Sequence, residues 1–193
     1  KVRSGNFYHV GPFIGVGFDE KAGPEIDYTF DENRVFKHGP IELNWKARTD
    51  WKEGVLYGTV FSAANASNYL MKVINTDAPI KIPLNLGSDD GIKVYLNGQL
   101  VLGNNIGRGA APDQEKITLA LNKGRNLVLL KIYNGGGASG FYYKSGADQV
   151  PKPSLAIDLS CEKGSFAIEL MAKAKNMRLK SKKSMLLQDG IKK

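Results

Sequence analysis

The chain has 193 residues, of which 42% are hydrophobic and 24% charged, a balance that suits one folded domain with a sizeable core and argues against global disorder. A single cysteine, Cys161, excludes an internal disulfide and a multi-cysteine metal site, and no run approaches the roughly 18 apolar residues of a membrane span. Of the formal net charge of +8, residues 172–193 carry +7, because Lys173, Lys175, Arg178, Lys180, Lys182, Lys183, Lys192 and Lys193 are opposed there only by Asp189; the nearly neutral remainder argues against nucleic-acid binding.

Lys1 to Gly5 hold no apolar stretch, so any signal peptide is expected to have been removed or to lie upstream. Asn6 to Phe13 reads as a short aromatic strand stopped by Gly11-Pro12, with a glycine-rich connection to Phe18. Asp19 to Gly39 shows little periodicity and reads as a long packed loop punctuated by Gly23-Pro24 and Gly39-Pro40. Strands are predicted at Ile41–Trp45 and Val55–Phe61. After a turn over 63–68, Tyr69, Met71 and Val73 alternate with Leu70, Lys72 and Ile74. Ile80, Ile82, Leu84 and Leu86 mark another strand, in which Pro83 predicts an edge or irregular position.

The run from Gly87 to Leu102 combines a polar turn, an alternating strand and a hairpin. Ile92, Val94 and Leu96 share one face, and Asn97-Gly98 is a strong signal for a two-residue turn, since both residues tolerate positive φ. Residues 103–114 have the composition of an exposed loop. Ile117, Leu119 and Leu121 alternate, Asn122-Lys123-Gly124 turns, and the nearly all-apolar Asn126–Tyr133 suits a strand buried on both faces. Asn134 to Gly140 breaks it before an aromatic strand at Phe141–Tyr143. Leu155, Ile157 and Leu159 predict one more strand, and Phe166 to Met171 a last one before a basic arm or helix.

With no amphipathic helix before residue 165, these elements predict an all-β chain: an antiparallel β-sandwich or jelly roll over residues 1–160, then a C-terminal strand and basic extension over 161–193. Catalytic chemistry has little to work with. His9 and His38 come without a nucleophile motif, Cys161 lacks a local partner, and Gly135-Gly136-Gly137 lacks the Lys-Ser/Thr of a phosphate loop, so no enzymatic activity is expected. Binding has more. Asp89-Asp90 at a strand entrance suit a cation or sugar-hydroxyl site, or equally a turn bonding its own backbone. Asn104, Asn105, Arg108, Asp113 and Gln114 bring planar polar groups to one loop, and Trp45, Trp51, Tyr142 and Tyr143 offer faces for stacking on a sugar ring, although each of these residues taken alone reads first as core or rim.

The succession Val10-Gly11-Pro12-Phe13, Gly23-Pro24-Glu25, Trp45, Gly87-Ser88-Asp89-Asp90-Gly91-Ile92-Lys93-Val94-Tyr95-Leu96-Asn97-Gly98, Asn104-Asn105, Arg108-Gly109, Pro112-Asp113-Gln114 and Asn134-Gly135-Gly136-Gly137 with Gly140-Phe141 resembles a β-sandwich module over roughly residues 6–144. That module recurs in secreted or periplasmic proteins of planctomycete-type bacteria, often beside cytochrome c or hydrolase domains. It is similar to galactose-binding-like modules and to the sugar-binding domain type first named in anthrax protective antigen. The resemblance implies a non-catalytic, periplasmic or secreted bacterial glycan binder. In the calcium-dependent members, adjacent aspartates joined by a cis peptide hold Ca²⁺, which in turn holds sugar hydroxyls, and Asp89 and Asp90 match that dipeptide. The alternative is a structural or docking subunit of an envelope assembly. There residues 172–193 would contact other protein subunits, since Met177, Leu179, Met185, Leu186, Leu187 and Ile191 lie among the lysines.

Overall fold

The computed structural model describes residues 1–149. The strands expected at Leu155–Leu159 and Phe166–Met171, the boundary at 160, Cys161 and the basic segment 172–193 lie outside the described residues. Within them the chain forms β1 (Val2–Ile14), β2 (Val35–His38), β3 (Ile41–Asn44), β4 (Lys46–Arg48), β5 (Leu56–Phe61), β6 (Ala66–Thr76), β7 (Ile80–Ser88), β8 (Gly91–Leu96), β9 (Gln99–Asn104), β10 (Glu115–Leu121), β11 (Gly124–Asn134) and β12 (Ser139–Ser145). They make a six-stranded sheet in the order β4-β1-β6-β11-β8-β9, a four-stranded sheet in the order β10-β7-β12-β5, and the hairpin β2-β3. Every pairing is antiparallel, as the alternating segments predict.

Side-chain alternation decides what lies between the layers. Leu70 and Ile74 of β6, Val94 of β8, and Val128, Leu130 and Ile132 of β11 meet Ile82, Leu84 and Leu86 of β7, Leu119 of β10, and Phe141 and Tyr143 of β12. Burial of each such side chain contributes about 1.5–3 kcal/mol. The large sheet is covered on its other face too. There Val10, Phe13, Tyr69, Met71, Tyr95 and Leu129 pack under Val16, Phe36 and Trp45, contributed by the segment that runs from residue 15 to 45. This strap accounts for the apolar run of β11, which has no solvated face.

A buried polar knot fixes the strap. Glu25, in a single 3-10 turn at Gly23–Glu25, accepts hydrogen bonds from Tyr95 Oη at 2.6 Å and Tyr69 Oη at 2.7 Å, and from Lys131 Nζ at 2.9 Å. The Glu25 and Lys131 side chains are both 0% exposed. Burial pushes the Lys131 ammonium pKa down while Glu25 pulls it back, and burial next to the Glu25 charge pushes both tyrosine hydroxyls up. Lys131 also donates to the carbonyl of Glu20, a second tether between strap and sheet.

Four sequence expectations need correction. β1 does not stop at Gly11-Pro12 but runs through it to Ile14, its register with β6 shifting between Val10 and Phe13; that irregularity accommodates a proline with no N–H to donate. Residues 19–39 are not all loop, because they include the 3-10 turn and β2, and Gly39 at φ 57° turns β2 into β3. Pro83 lies not on an edge strand but on an inner one, opposite Thr118 of β10; the irregular position holds, because β12 ends at Ser145 opposite Leu84 and the proline ring faces Gly146 beyond that end. Trp45, Trp51, Tyr142 and Tyr143 are 6%, 4%, 6% and 1% exposed and offer no surface for stacking.

Candidate functional site

The Asn97-Gly98 turn joins β8 to β9 with φ of 50° and 83°, both positive as a two-residue hairpin turn of this type requires. At the opposite end of β8, Ser88 closes β7 and Gly91 opens β8, leaving Asp89 and Asp90 on the corner between the two sheets. The backbone N–H of Asp89 donates to the Gly140 carbonyl at 3.1 Å and that of Asp90 to the Tyr133 carbonyl at 2.9 Å. The peptide between the aspartates is cis, as the resemblance implies.

The Asp90 carboxylate bridges two loops. Its Oδ1 accepts from the Arg108 backbone N–H at 3.0 Å and its Oδ2 from the Gly135 N–H at 2.9 Å. The Ser88 hydroxyl donates to the Asp90 carbonyl at 2.7 Å. Asp89 is half-buried beside it. Burial, and then the neighbouring Asp90 charge, push the Asp89 pKa up, against a hydrogen bond from the Ala110 backbone that pulls it down.

The other sequence candidates divide into props and one free-facing group. Arg108 pairs with Glu115 at 2.9 Å and donates to the Ser88 carbonyl and hydroxyl at 3.3 and 3.2 Å. Gln114 accepts from the Ser88 N–H at 2.9 Å and donates to the Gly109 carbonyl at 2.8 Å. Asn104 donates to Glu115 at 2.6 Å, and Asp113, with φ of 60°, accepts from Asn85 at 2.9 Å. Arg108, Gln114 and Asp113 lash the 105–114 loop onto β7, Asn104 ties β9 to Glu115 of β10, and Tyr142 is buried. The loop sits so close that a methyl group on Gly87 would fall 1.8 Å from the Ala111 carbonyl oxygen. Asn105 differs: it is exposed, and its Oδ1 would lie 3.2 Å from a methyl on Gly91. Gly107 passes near as well, a methyl there lying 3.8 Å from Asp90 Oδ1.

Residues from the strap complete the corner, and sequence reasoning did not find them. The Phe18 ring presses on Gly91, where a methyl would come within 2.7 Å of it. Lys93 Nζ sits 4.5 Å from the Phe18 ring centre and 3.4 Å from Asp19 Oδ1. The signal available was Gly91 itself, a glycine directly after the aspartate pair where a strand would otherwise favour a side chain.

Chemically the corner offers hard oxygen ligands: two adjacent carboxylates and an exposed amide oxygen. Among the described residues no group of three or more His, Cys, Asp and Glu could hold a metal, so a cation here would draw two carboxylates and otherwise neutral oxygens. That donor set fits Ca²⁺, which accepts carboxylate, amide and backbone carbonyl oxygens in flexible numbers. The histidines lie elsewhere: His9 faces Asn68 Oδ1 at 2.8 Å, and His38 the Ile14 carbonyl at 2.7 Å. No helix among the described residues is long and apolar enough to cross a membrane.

The chain matches no family model and no curated protein sequence. Among solved structures it is similar to the PA14 domain of the antifreeze protein MpAFP, with 11% identity over 79% of this chain and 86% of that one and a TM-score of 0.44. A PA14 sugar-binding domain from an RTX adhesin shares 14% identity over 74% of this chain and 89% of the other, with a TM-score of 0.41. The β-glucosidase of Kluyveromyces marxianus, in complex with glucose, shares 20% identity over 42% of this chain at a TM-score of 0.34; the match spans 11% of the enzyme's length.

Proposed function

We propose that this β-sandwich is a non-catalytic carbohydrate-binding module that holds a glycan at the Asp89–Asp90 corner through calcium. The observation that carries the reading is the aspartate pair with Asp90 already oriented. Each of its oxygens takes one backbone N–H from a different loop, which fixes the carboxylate while leaving lone pairs for a cation. A turn that only bonded its own backbone would have no use for two half-buried like charges side by side, which raise the Asp89 pKa.

Asp89, Asp90 and Asn105 are the residues that would hold Ca²⁺. When bound, the ion supplies a positive centre that takes neighbouring sugar hydroxyls as ligands. Arg108, Asp113 and Gln114 serve by keeping the 105–114 loop in place, and Asn104 by tying β9 to β10. Secretion suits such a module, since calcium sites of modest charge fill at extracellular calcium concentrations.

Glycan-array screening of the full chain in calcium and in chelator tests the reading, together with calorimetric titration by calcium alone. Glycan binding that disappears in chelator is the expected result. Binding of no glycan in either condition, with no calcium heat, overturns it.

A further inference from the structure

The strap raises a question that packing does not answer. Phe18 is a half-buried aromatic residue, yet it belongs to neither interior cluster. It rests on Gly91, the residue after Asp90, and Asn105 Oδ1 closes on the same glycine. Asp19, whose side chain is 87% exposed, pairs with Lys93, whose ammonium lies over one face of the Phe18 ring 4.5 Å from its centre and leaves the opposite face for a ligand. Tyr133 lies opposite Gly91 across the sheet, and its hydroxyl approaches Gly135, which binds Asp90 Oδ2. An apolar ring surrounded by convergent polar groups is the composition of a site for a ligand with one apolar face and a hydroxylated rim.

Building on the function proposed above, we infer that Phe18 is the specificity-determining platform of the site. It takes the C–H face of a pyranose whose vicinal hydroxyls point to Asp89, Asp90 and Asn105. The strap is rigid enough for this role. Glu25 and the Glu20 carbonyl are both held by the buried Lys131, so Phe18 is presented from a tethered segment and little ordering is left for binding to do. Gly91 is required at its position because any side chain would push the ring away from the aspartates.

The test uses the full chain and the variants Phe18→Ala, Phe18→Leu and Phe18→Trp. Each is titrated first with calcium chloride alone and then, in calcium, with the methyl glycosides of galactose, glucose and mannose. Phe18→Leu keeps an apolar group on Gly91 and decides the matter if Phe18→Ala fails to fold. The expected result is calcium affinity within about twofold of wild type in all variants, sugar affinity reduced about tenfold in Phe18→Ala and Phe18→Leu, and sugar affinity retained in Phe18→Trp. Unchanged sugar affinity in Phe18→Leu overturns the platform while leaving the calcium-dependent module intact. Loss of calcium affinity in the same variant also overturns it, because Phe18 would then be only a prop for Asn105. A wild-type chain that binds neither these glycosides nor any arrayed glycan overturns the proposed function, and this inference with it.

Discussion

His9 shows how one residue's surroundings set a solution property. Its ring lies between Trp51 and Phe61, with centroids 5.7 and 5.1 Å away, and its Nε2 faces Asn68 Oδ1. Burial lowers its pKa to about 4, outweighing the hydrogen bond to Asn68, which favours the charged form. The unfolded chain, with a histidine pKa of about 6.5, therefore binds more protons than the folded one between those two values. Stability that is complete above pH 6.5 is lost as the pH falls through that window, by about 1–2 kcal/mol between pH 7 and pH 5. Urea-unfolding midpoints across this range should fall more steeply for the wild type than for His9→Gln, which keeps a donor for Asn68 but does not titrate. Equal slopes would show that His9 does not carry the effect.

At the scale of elements, legibility followed the chemistry of the backbone. β7, β8 and β10 were readable because one face of each meets the core, so apolar residues recur with period two, and Asn97-Gly98 was readable because few other pairs tolerate two positive φ values. β1 was cut short in the sequence because Gly11-Pro12 signals a stop, and only the sheet's register shift lets the strand pass through it. The aspartate pair stood out by residue type, whereas the roles of Arg108 and Gln114 did not: a planar polar group looks alike whether it faces a ligand or a neighbouring loop. Phe18 was hidden for a similar reason, since the strap has no period and its target glycine is far away in sequence. The same close packing makes the 105–114 loop sensitive to one methyl group. Gly87→Ala would drive the Ala111 carbonyl off β7, costing about 1–3 kcal/mol and moving Asn105 away from Gly91 and Gly107 away from Asp90. Its urea midpoint should fall and its calcium affinity should weaken together. A stable variant with wild-type calcium affinity would separate the loop from the site.

For the whole molecule, the aspartate corner predicts a reversal in the order of two melting temperatures. Asp90 is both clamp and charge, so replacing it would disturb two loops at once and leave the cause of any change mixed. Asp89 allows a cleaner change, because the bridge between the Arg108 and Gly135 loops belongs to Asp90 and an asparagine at 89 retains an oxygen for the one loop contact Asp89 makes, the Ala110 backbone N–H. The raised pKa of Asp89 means that its ionised form is disfavoured in the folded state, and this penalty is present at neutral pH and fades as acid protonates the carboxyl. In chelator at pH 7, Asp89→Asn should therefore melt above the wild type. Calcium that binds only the folded chain stabilises it by about 2.7 kcal/mol at a free concentration 100 times the dissociation constant, worth roughly 5–10 °C for a domain of this size. The wild type should gain that increment, and Asp89→Asn, short one of two carboxylates, should gain little and now melt below it. Differential scanning calorimetry of both proteins in chelator and in millimolar calcium reads the crossing directly. If the two curves shift in parallel, the stabilising ion sits elsewhere; if neither shifts, the corner is a turn whose carboxylates serve only the loops.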